Sequence, residues 1–372
     1  MNSSRNRIPP LLEPYVRLPP EASLILVTSV LGASANWLVV RHICGALGSD
    51  GRKDGRVSAE DGEEIGLSNG DGNRAADGEA GVVLVSWMRD YKFWRAEARR
   101  GGGLDLDRLM QQHRFAFVDG LTSLFSESAA PLPLPRSQPP SSSLSSPTSV
   151  RQTSLPALRE SRQLPSHSAV ARHIHPQPQP HSAPSAPTPS TSSPSQTASL
   201  WTLTSPDLSP TNRTIQAAIQ NLSTRRTVLF FDDPALLLAS TTASVHDLAA
   251  MIRSLRALPN VHSTVIVAGA DAPLLSPPSP SSLSSATSPL EQDHTAFVVG
   301  LAHQARCVMG VRRLDTGGAR DVSGVVRITR GGDYIGVENE DEDVEVEEKE
   351  LLYHVKGDGG VSVFERGGGG AG

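Results

Sequence analysis

Apolar residues in this chain arrive in short blocks whose spacing changes from block to block. Leu24–Val30 is a continuous run rich in β-branched residues, as expected of a strand buried on both faces. Gly32 follows as a turn, and Ala35, Leu38, Val39, His42 and Ile43 then repeat at helical spacing. Val82–Ser86 predicts a second buried strand, running into Trp87-Met88-Arg89-Asp90 and a basic helical segment that reaches Arg100. Leu104, Leu106, Leu109 and Met110 mark a short helix, and Phe115–Val118 a third strand stopped by Asp119-Gly120.

The pattern resumes at Thr214, with Ile215, Ala218, Ile219 and Leu222 on one helical face. Strand Val228–Phe231 ends in Asp232-Asp233-Pro234. Ser244-Val245-His246-Asp247 has the form of a capping box, opening a helix with Val245, Leu248, Ala249, Ile252 and Leu255 along one stripe. Strand Thr264–Ala268, helix His294–Gln304, strand Arg306–Arg312 and the alternating Val322–Arg330 follow. Glu350–Val355 and Val361–Glu365 predict a hairpin around Lys356-Gly357-Asp358-Gly359. Strands alternating with helices, then a run of late strands, predict an α/β fold: a mostly parallel sheet flanked by helices, with an antiparallel edge. That is the RecA-like arrangement of phosphate-loop NTPases.

Composition decides how much of the 372 residues can belong to that sheet. There are 29 Pro and 32 Gly, many in runs with Ser that cannot bury a core. The expected organisation is an N-terminal extension over 1–20 and one domain formed by 21–125 and 212–372. Disordered insertions are expected over 48–81 and, Ser/Pro-rich, over 127–210, with a Pro/Ser loop at 273–289 and an acidic loop at 338–350. The acidic loop alone carries −8 of a formal net charge of −5, so everything else sums to about +3. A mildly basic folded part permits contact with nucleic acid without demanding it. Cys44 and Cys307 offer neither metal-ligand spacing nor a disulfide framework, which points to a reducing compartment. Met1–Pro20 lacks an apolar signal core, and polar residues interrupt Leu24–Val40, so no membrane association is expected and a cytoplasmic or nuclear location is.

The first strand, turn and helix occupy the place of a phosphate loop. Such a loop needs glycines for close backbone approach, a Lys for the β- and γ-phosphates and a Ser/Thr for Mg²⁺. Thr28-Ser29-Val30-Leu31-Gly32-Ala33-Ser34-Ala35-Asn36-Trp37 has one Gly and no Lys, and none of the four lysines (Lys53, Lys92, Lys349, Lys356) follows a glycine. A functional Walker A motif is therefore absent, and no cofactor is expected. Asp232 and Asp233 resemble the acidic end of a Walker B strand; without a phosphate loop the plainer expectation is that they cap the next segment, with Pro234 at its first position.

Arg89, Lys92, Arg95, Arg99 and Arg100 are the candidate RNA or partner surface. They interleave with Trp87, Tyr91, Phe93 and Trp94, and cations with stacking rings suit RNA. The alternative is a helix whose rings face inward while the cations stay solvated. His173, His175 and His181 lie among Pro and Gln and reflect biased composition rather than a metal tract. No catalytic constellation and no metal site can be assembled.

In this order, the blocks resemble the sixth subunit of the Elongator complex. The matching stretches are Leu12-Glu13-Pro14-Tyr15 with Leu18-Pro19-Pro20, Leu31-Gly32-Ala33 with Asn36-Trp37-Leu38-Val39, Trp87-Met88-Arg89-Asp90 with Phe93-Trp94, and Phe115-Ala116-Phe117-Val118-Asp119-Gly120-Leu121. Later come Gly300-Leu301-Ala302-His303-Gln304-Ala305-Arg306, Arg320-Asp321-Val322-Ser323-Gly324, and the ending from Glu350-Leu351-Leu352-Tyr353 to Val363-Phe364-Glu365-Arg366. The resemblance implies a non-catalytic accessory role. Two other RecA-like subunits would share a heterohexameric ring with this one, docked on the catalytic Elongator lobe and binding tRNA for modification at carbon five of the wobble uridine. The rival expectations are a RecA/KaiC-like ATPase with an atypical nucleotide site, and a scaffold that touches no RNA.

Overall fold

The computed structural model describes residues 8–48, 80–124, 199–275, 288–315, 317, 319–334 and 346–366. Ten strands form one sheet: β1 Leu24–Ser29, β2 Ala80–Ser86, β3 Phe115–Asp119, β4 Leu200–Thr202, β5 Arg226–Asp232, β6 Val261–Gly269, β7 Cys307–Arg312, β8 Gly324–Arg330, β9 Lys349–Val355 and β10 Val361–Glu365. Their spatial order is β10-β9-β8-β7-β1-β6-β5-β2-β3-β4. From β7 to β4 every pairing is parallel, and β8, β9 and β10 are added antiparallel. This is the RecA-like sheet that the alternation of elements predicts.

The parallel strands are apolar throughout because both faces are covered. Successive side chains point to opposite sides. Ile25, Val27, Val82, Leu84, Val228 and Phe230 therefore enter one core, and Leu24, Leu26, Val83, Val85, Leu229 and Phe231 the other. The first core lies under α1 Glu13–Val16, α2 Asn36–Gly48, α3 Tyr91–Glu97 and α4 Leu106–Gln111, which supply Val16, Leu38, Trp94 and Met110. The second lies under α5 Leu208–Gln220, α6 Leu236–Ser240, α7 Val245–Arg256 and α9 Pro289–Gln304, which supply Ile215, Leu237, Leu248 and Phe297, while the short α8 Ala272–Leu275 only rests half-buried Leu275 against it. The capping box at Ser244 forms as expected. Ser244 Oγ accepts from Asp247 N at 3.2 Å, while Ser244 N donates to Asp247 Oδ2 at 3.3 Å. α9 starts on a second such box, Ser288 with Glu291, with Pro289 at its first position.

Five expected boundaries move. The 1–20 extension is partly core: Leu12 and Val16 are fully buried, and a Cβ on Gly45 of α2 would come 1.7 Å from the Val16 carbonyl oxygen. The 127–210 tract ends earlier than its composition suggests, because Leu200–Thr202 extends the sheet beside β3 and α5 starts at Leu208. Pro210 falls in the first turn of that helix, where no N–H is needed. Of the 273–289 loop, residues 273–275 finish α8 and Ser288-Pro289 start α9. The acidic loop is tied down at its end: Val346 is buried, Lys349 and Glu350 begin β9, and Glu350 bonds both Arg312 (3.2 Å) and Arg366 (3.0 Å). Ala80 and Gly81, placed in the first insertion, begin β2. The rest of the 48–81 insertion beyond Gly48, the tract from 127 to 198, loop residues 276–287, acidic residues 338–345 and the three clustered histidines lie outside the described residues.

Candidate functional site at the carboxyl ends of the parallel strands

In an open α/β sheet, ligands bind beyond the carboxyl ends of the strands. Here that edge is made by Ser29, Gly269, Asp232, Ser86 and Asp119, which end β1, β6, β5, β2 and β3. Pairing places Ser29 beside Gly269, and Ser86 between Asp232 and Asp119.

After β1 the chain makes a tight turn in place of a wide cradle. Ala33 N donates back to Val30 O at 2.9 Å, and Gly32 takes a φ of 83°, a left-handed conformation that glycine adopts freely. Two side chains from distant segments complete the turn. Asp271 Oδ1 accepts from Leu31 N at 2.7 Å, and Arg313 Nε donates to Gly32 O at 3.0 Å. A Cβ on Gly32 would come 2.0 Å from Arg313 Nη2, so the guanidinium fills the space over the glycine. Asn36 N, at the start of α2, is taken by Ser34 Oγ at 3.2 Å. Phosphate binding at a helix start relies on free backbone N–H groups and added positive charge. Here the N–H groups of Ala33 and Asn36 are taken within the turn, that of Leu31 faces the Asp271 carboxylate, and the Leu31 side chain is 87% exposed at the tip.

The paired acids at the end of β5 have separate surroundings. Asp232 is 5% exposed, and its Oδ2 accepts from Ser86 Oγ at 2.6 Å. Burial pushes its carboxyl up to about 6, against the opposing pull of the Ser86 bond and Arg89. Ser86 Oγ also accepts from Arg89 N at 3.0 Å, which fixes the chain leaving β2. Asp233 has a φ of 57°, and its N–H donates to Val267 O at 3.1 Å. Burial raises its carboxyl too, and His294 and Arg89 work in the other direction. His294 Nε2 bonds the Gly269 carbonyl at 2.9 Å. The expectation that these acids cap the next segment needs correction: α6 follows Ala235 with no side-chain cap, and Asp232 is spent on Ser86. Asp119 does act locally, accepting from Leu121 N, Thr122 N and Thr122 Oγ1 at 2.9, 2.8 and 2.6 Å.

The five candidate cations divide. Arg89 is half-buried with its guanidinium 5.3 Å from the centre of the Phe93 ring, and its charge acts on Asp232 and Asp233. Lys92, Arg95 and Arg99 recur at i, i+3 and i+7 and are all exposed, with Arg100 beside them. Arg95 pairs with Asp107 at 2.6 Å and Arg100 with Glu97, while no carboxylate among the described residues bonds Lys92 or Arg99. The interleaved rings face inward: Trp87 and Trp94 are buried, Phe93 packs on the core, and Tyr91 donates to Asp107 at 2.6 Å. The face therefore presents cations without stacking platforms.

Beneath it is a residue that pattern reading passes over. Arg41 of α2 is 2% exposed, with Nη2 donating to Gly359 O at 3.1 Å and Nη1 to Gly101 O. Ser86, Asp271, Arg313 and Arg41 all act across long sequence separations, so nothing local marks them.

No family model and no curated protein matches the chain. Among solved structures it is similar to the crystal structure of a KaiC-like protein from the hyperthermophilic archaeon Pyrococcus horikoshii OT3, with 12% identity over 97% of this chain and 98% of that one and a TM-score of 0.44. Among the described residues, no helix is long and apolar enough to cross a membrane.

Proposed function

We propose that this chain is a non-catalytic RecA-like subunit of the Elongator complex. In this reading it joins two other RecA-like subunits in a heterohexameric ring, docks with them on the catalytic lobe, and helps hold tRNA for wobble-uridine modification. The observation that carries the non-catalytic part is the turn after β1. Its Leu31 N–H is committed to Asp271, Arg313 covers Gly32, and the segment from Thr28 to Trp37 carries no lysine to meet a triphosphate. A nucleotide phosphate entering there would meet the Asp271 carboxylate, and like charges set together disfavour binding. The assembly part rests on the block-by-block resemblance of the sequence.

The RNA-free scaffold is supported by one specific observation: ion pairs to Asp107 and Glu97 tie up two of the four exposed cations of the α3 face. Co-purification of the tagged full chain, with identification of bound proteins and small RNAs, separates the readings. Two further RecA-like proteins in equal amounts together with tRNA support the proposal. The same proteins without RNA support the scaffold. ATP hydrolysis by the purified chain alone overturns the non-catalytic reading.

A further inference from the structure

The α3 face continues onto a second segment that lies some 250 residues away in sequence. After α3 the chain makes a π turn, Ala98–Gly102, which carries Arg99 and Arg100. The turn between β9 and β10, Lys356 to Gly360, is packed directly against it. A Cβ on Gly359 would come 2.7 Å from Arg100 Cγ and 2.9 Å from the Arg100 backbone carbon, and one on Gly101 would come 3.4 Å from Gly359 O. Arg41 fastens the two turns from below, because a single guanidinium donates to a carbonyl of each. The hairpin turn is also closed on itself, with Lys356 N donating to Gly360 O at 2.8 Å and Gly359 N to Lys356 O at 2.9 Å.

The result is one surface made from two pinned turns. Lys356 is exposed and, like Lys92 and Arg99, has no bonded carboxylate among the described residues. Asp358, the acid of the turn, has Oδ1 taken by Gly360 N at 2.8 Å. Gly357 is exposed, and a Cβ placed on it would meet nothing within 4 Å, so the fold does not itself demand a glycine there. Bare backbone next to a free ammonium leaves room for another chain to approach closely.

We propose that Lys356 and the hairpin turn around it form, with Lys92, Arg99 and Arg100, a single composite surface for an RNA phosphate backbone, and that Arg41 positions its two halves. This rests on the reading of the α3 face as RNA-contacting. Dispersed cations without stacking rings fit phosphates rather than bases, so the surface would contribute affinity without sequence preference.

The test measures binding of the full chain, within its purified complex, to bulk tRNA at several salt concentrations. Lys356→Ala is expected to weaken affinity several-fold and to lower the slope of log affinity against log salt by about 1, as loss of one phosphate contact does. Gly357→Glu, which the fold accommodates, is expected to weaken it further with an unchanged thermal midpoint. If Arg99→Ala/Arg100→Ala weakens binding and the two hairpin variants do not, the composite surface is overturned and the reading of the α3 face stands. If none of them alters tRNA binding, or the wild-type complex binds no tRNA, both fall. Loss of a co-purifying protein in the Lys356→Ala variant with RNA affinity intact would assign the surface to an acidic protein partner and overturn the proposal.

Discussion

The carboxylate of Asp271 accepts the backbone N–H of Leu31 across 240 residues of sequence, at 2.7 Å. That bond puts a negative charge where a nucleotide-binding protein presents an open donor. Titration of the purified chain with ATP and Mg²⁺ by calorimetry is expected to show no saturable heat up to millimolar concentration. A thermal shift assay under the same conditions should leave the unfolding midpoint where it was, because a ligand that does not bind the native state cannot stabilise it.

Two buried titratable groups oppose one another in mild acid. Burial holds His42 down to about 4, so it stays neutral in the folded chain, while the unfolded chain takes up a proton below about 6.5; this costs stability as pH falls through that window. Asp232 behaves in reverse. Its folded carboxyl is raised to about 6, so the folded chain keeps a proton that the unfolded chain releases above about 4, and stability falls as pH rises from about 4 to about 6. Each contribution is roughly 3 kcal/mol at most, from about 1.4 kcal/mol per pKa unit, so in the wild type the two largely cancel between pH 4 and 6. Asp232→Asn keeps an acceptor for Ser86 and removes this counterweight, leaving only the upward push on Asp233 beside it. Its urea midpoint should drop steadily from pH 6.5 to pH 4, whereas that of His42→Leu should drop from pH 4 to pH 6.

Arg41 closes two turns with one buried cation, and its removal leaves two carbonyls without that donor. Arg41→Ala is expected to destabilise the chain by roughly 3 kcal/mol, in line with the loss of hydrogen bonds to a charged group. Hydrogen exchange should quicken first in the segments around Gly101 and Gly359. Gly359→Ala should loosen the same contact from the other side, since Gly359 has a φ of 83° and a Cβ there would crowd Arg100.

The two capping boxes offer a local control. Ser244→Ala and Ser288→Ala should each cost about 1 kcal/mol, read as lower denaturation midpoints with unchanged denaturant slopes. Equal slopes would show that neither change alters the extent of the folded unit.

What the sequence disclosed follows from how local each signal is. Strands such as β1 and β5 are buried on both sides, so continuous apolar runs gave them away, and Ser244 with Asp247 is a four-residue motif complete in itself. The missing phosphate-loop lysine could be read directly. Arg313 over Gly32, Asp271 on Leu31 and Arg41 on Gly359 could not, because each depends on strand order. Composition misled at the end of the Ser/Pro tract, where three residues, Leu200-Trp201-Thr202, gain a neighbour in β3 that their own pattern does not announce. On α3 the rings and cations alternate in sequence, but helical geometry separates them: Trp94 and Ala98 share the inner side, Arg95 and Arg99 the outer.

The position of β1 also has a consequence for biosynthesis. Its two sheet neighbours are β6, where Leu24 faces Thr264, and β7, where Ile25 faces Cys307. A nascent chain leaving the ribosome therefore exposes its most central strand first and waits through some 240 further residues before either neighbour exists. Such non-local pairing slows folding and leaves an adhesive segment uncovered during translation. Truncated products ending before β6 should consequently be insoluble without a chaperone, however sound their individual helices.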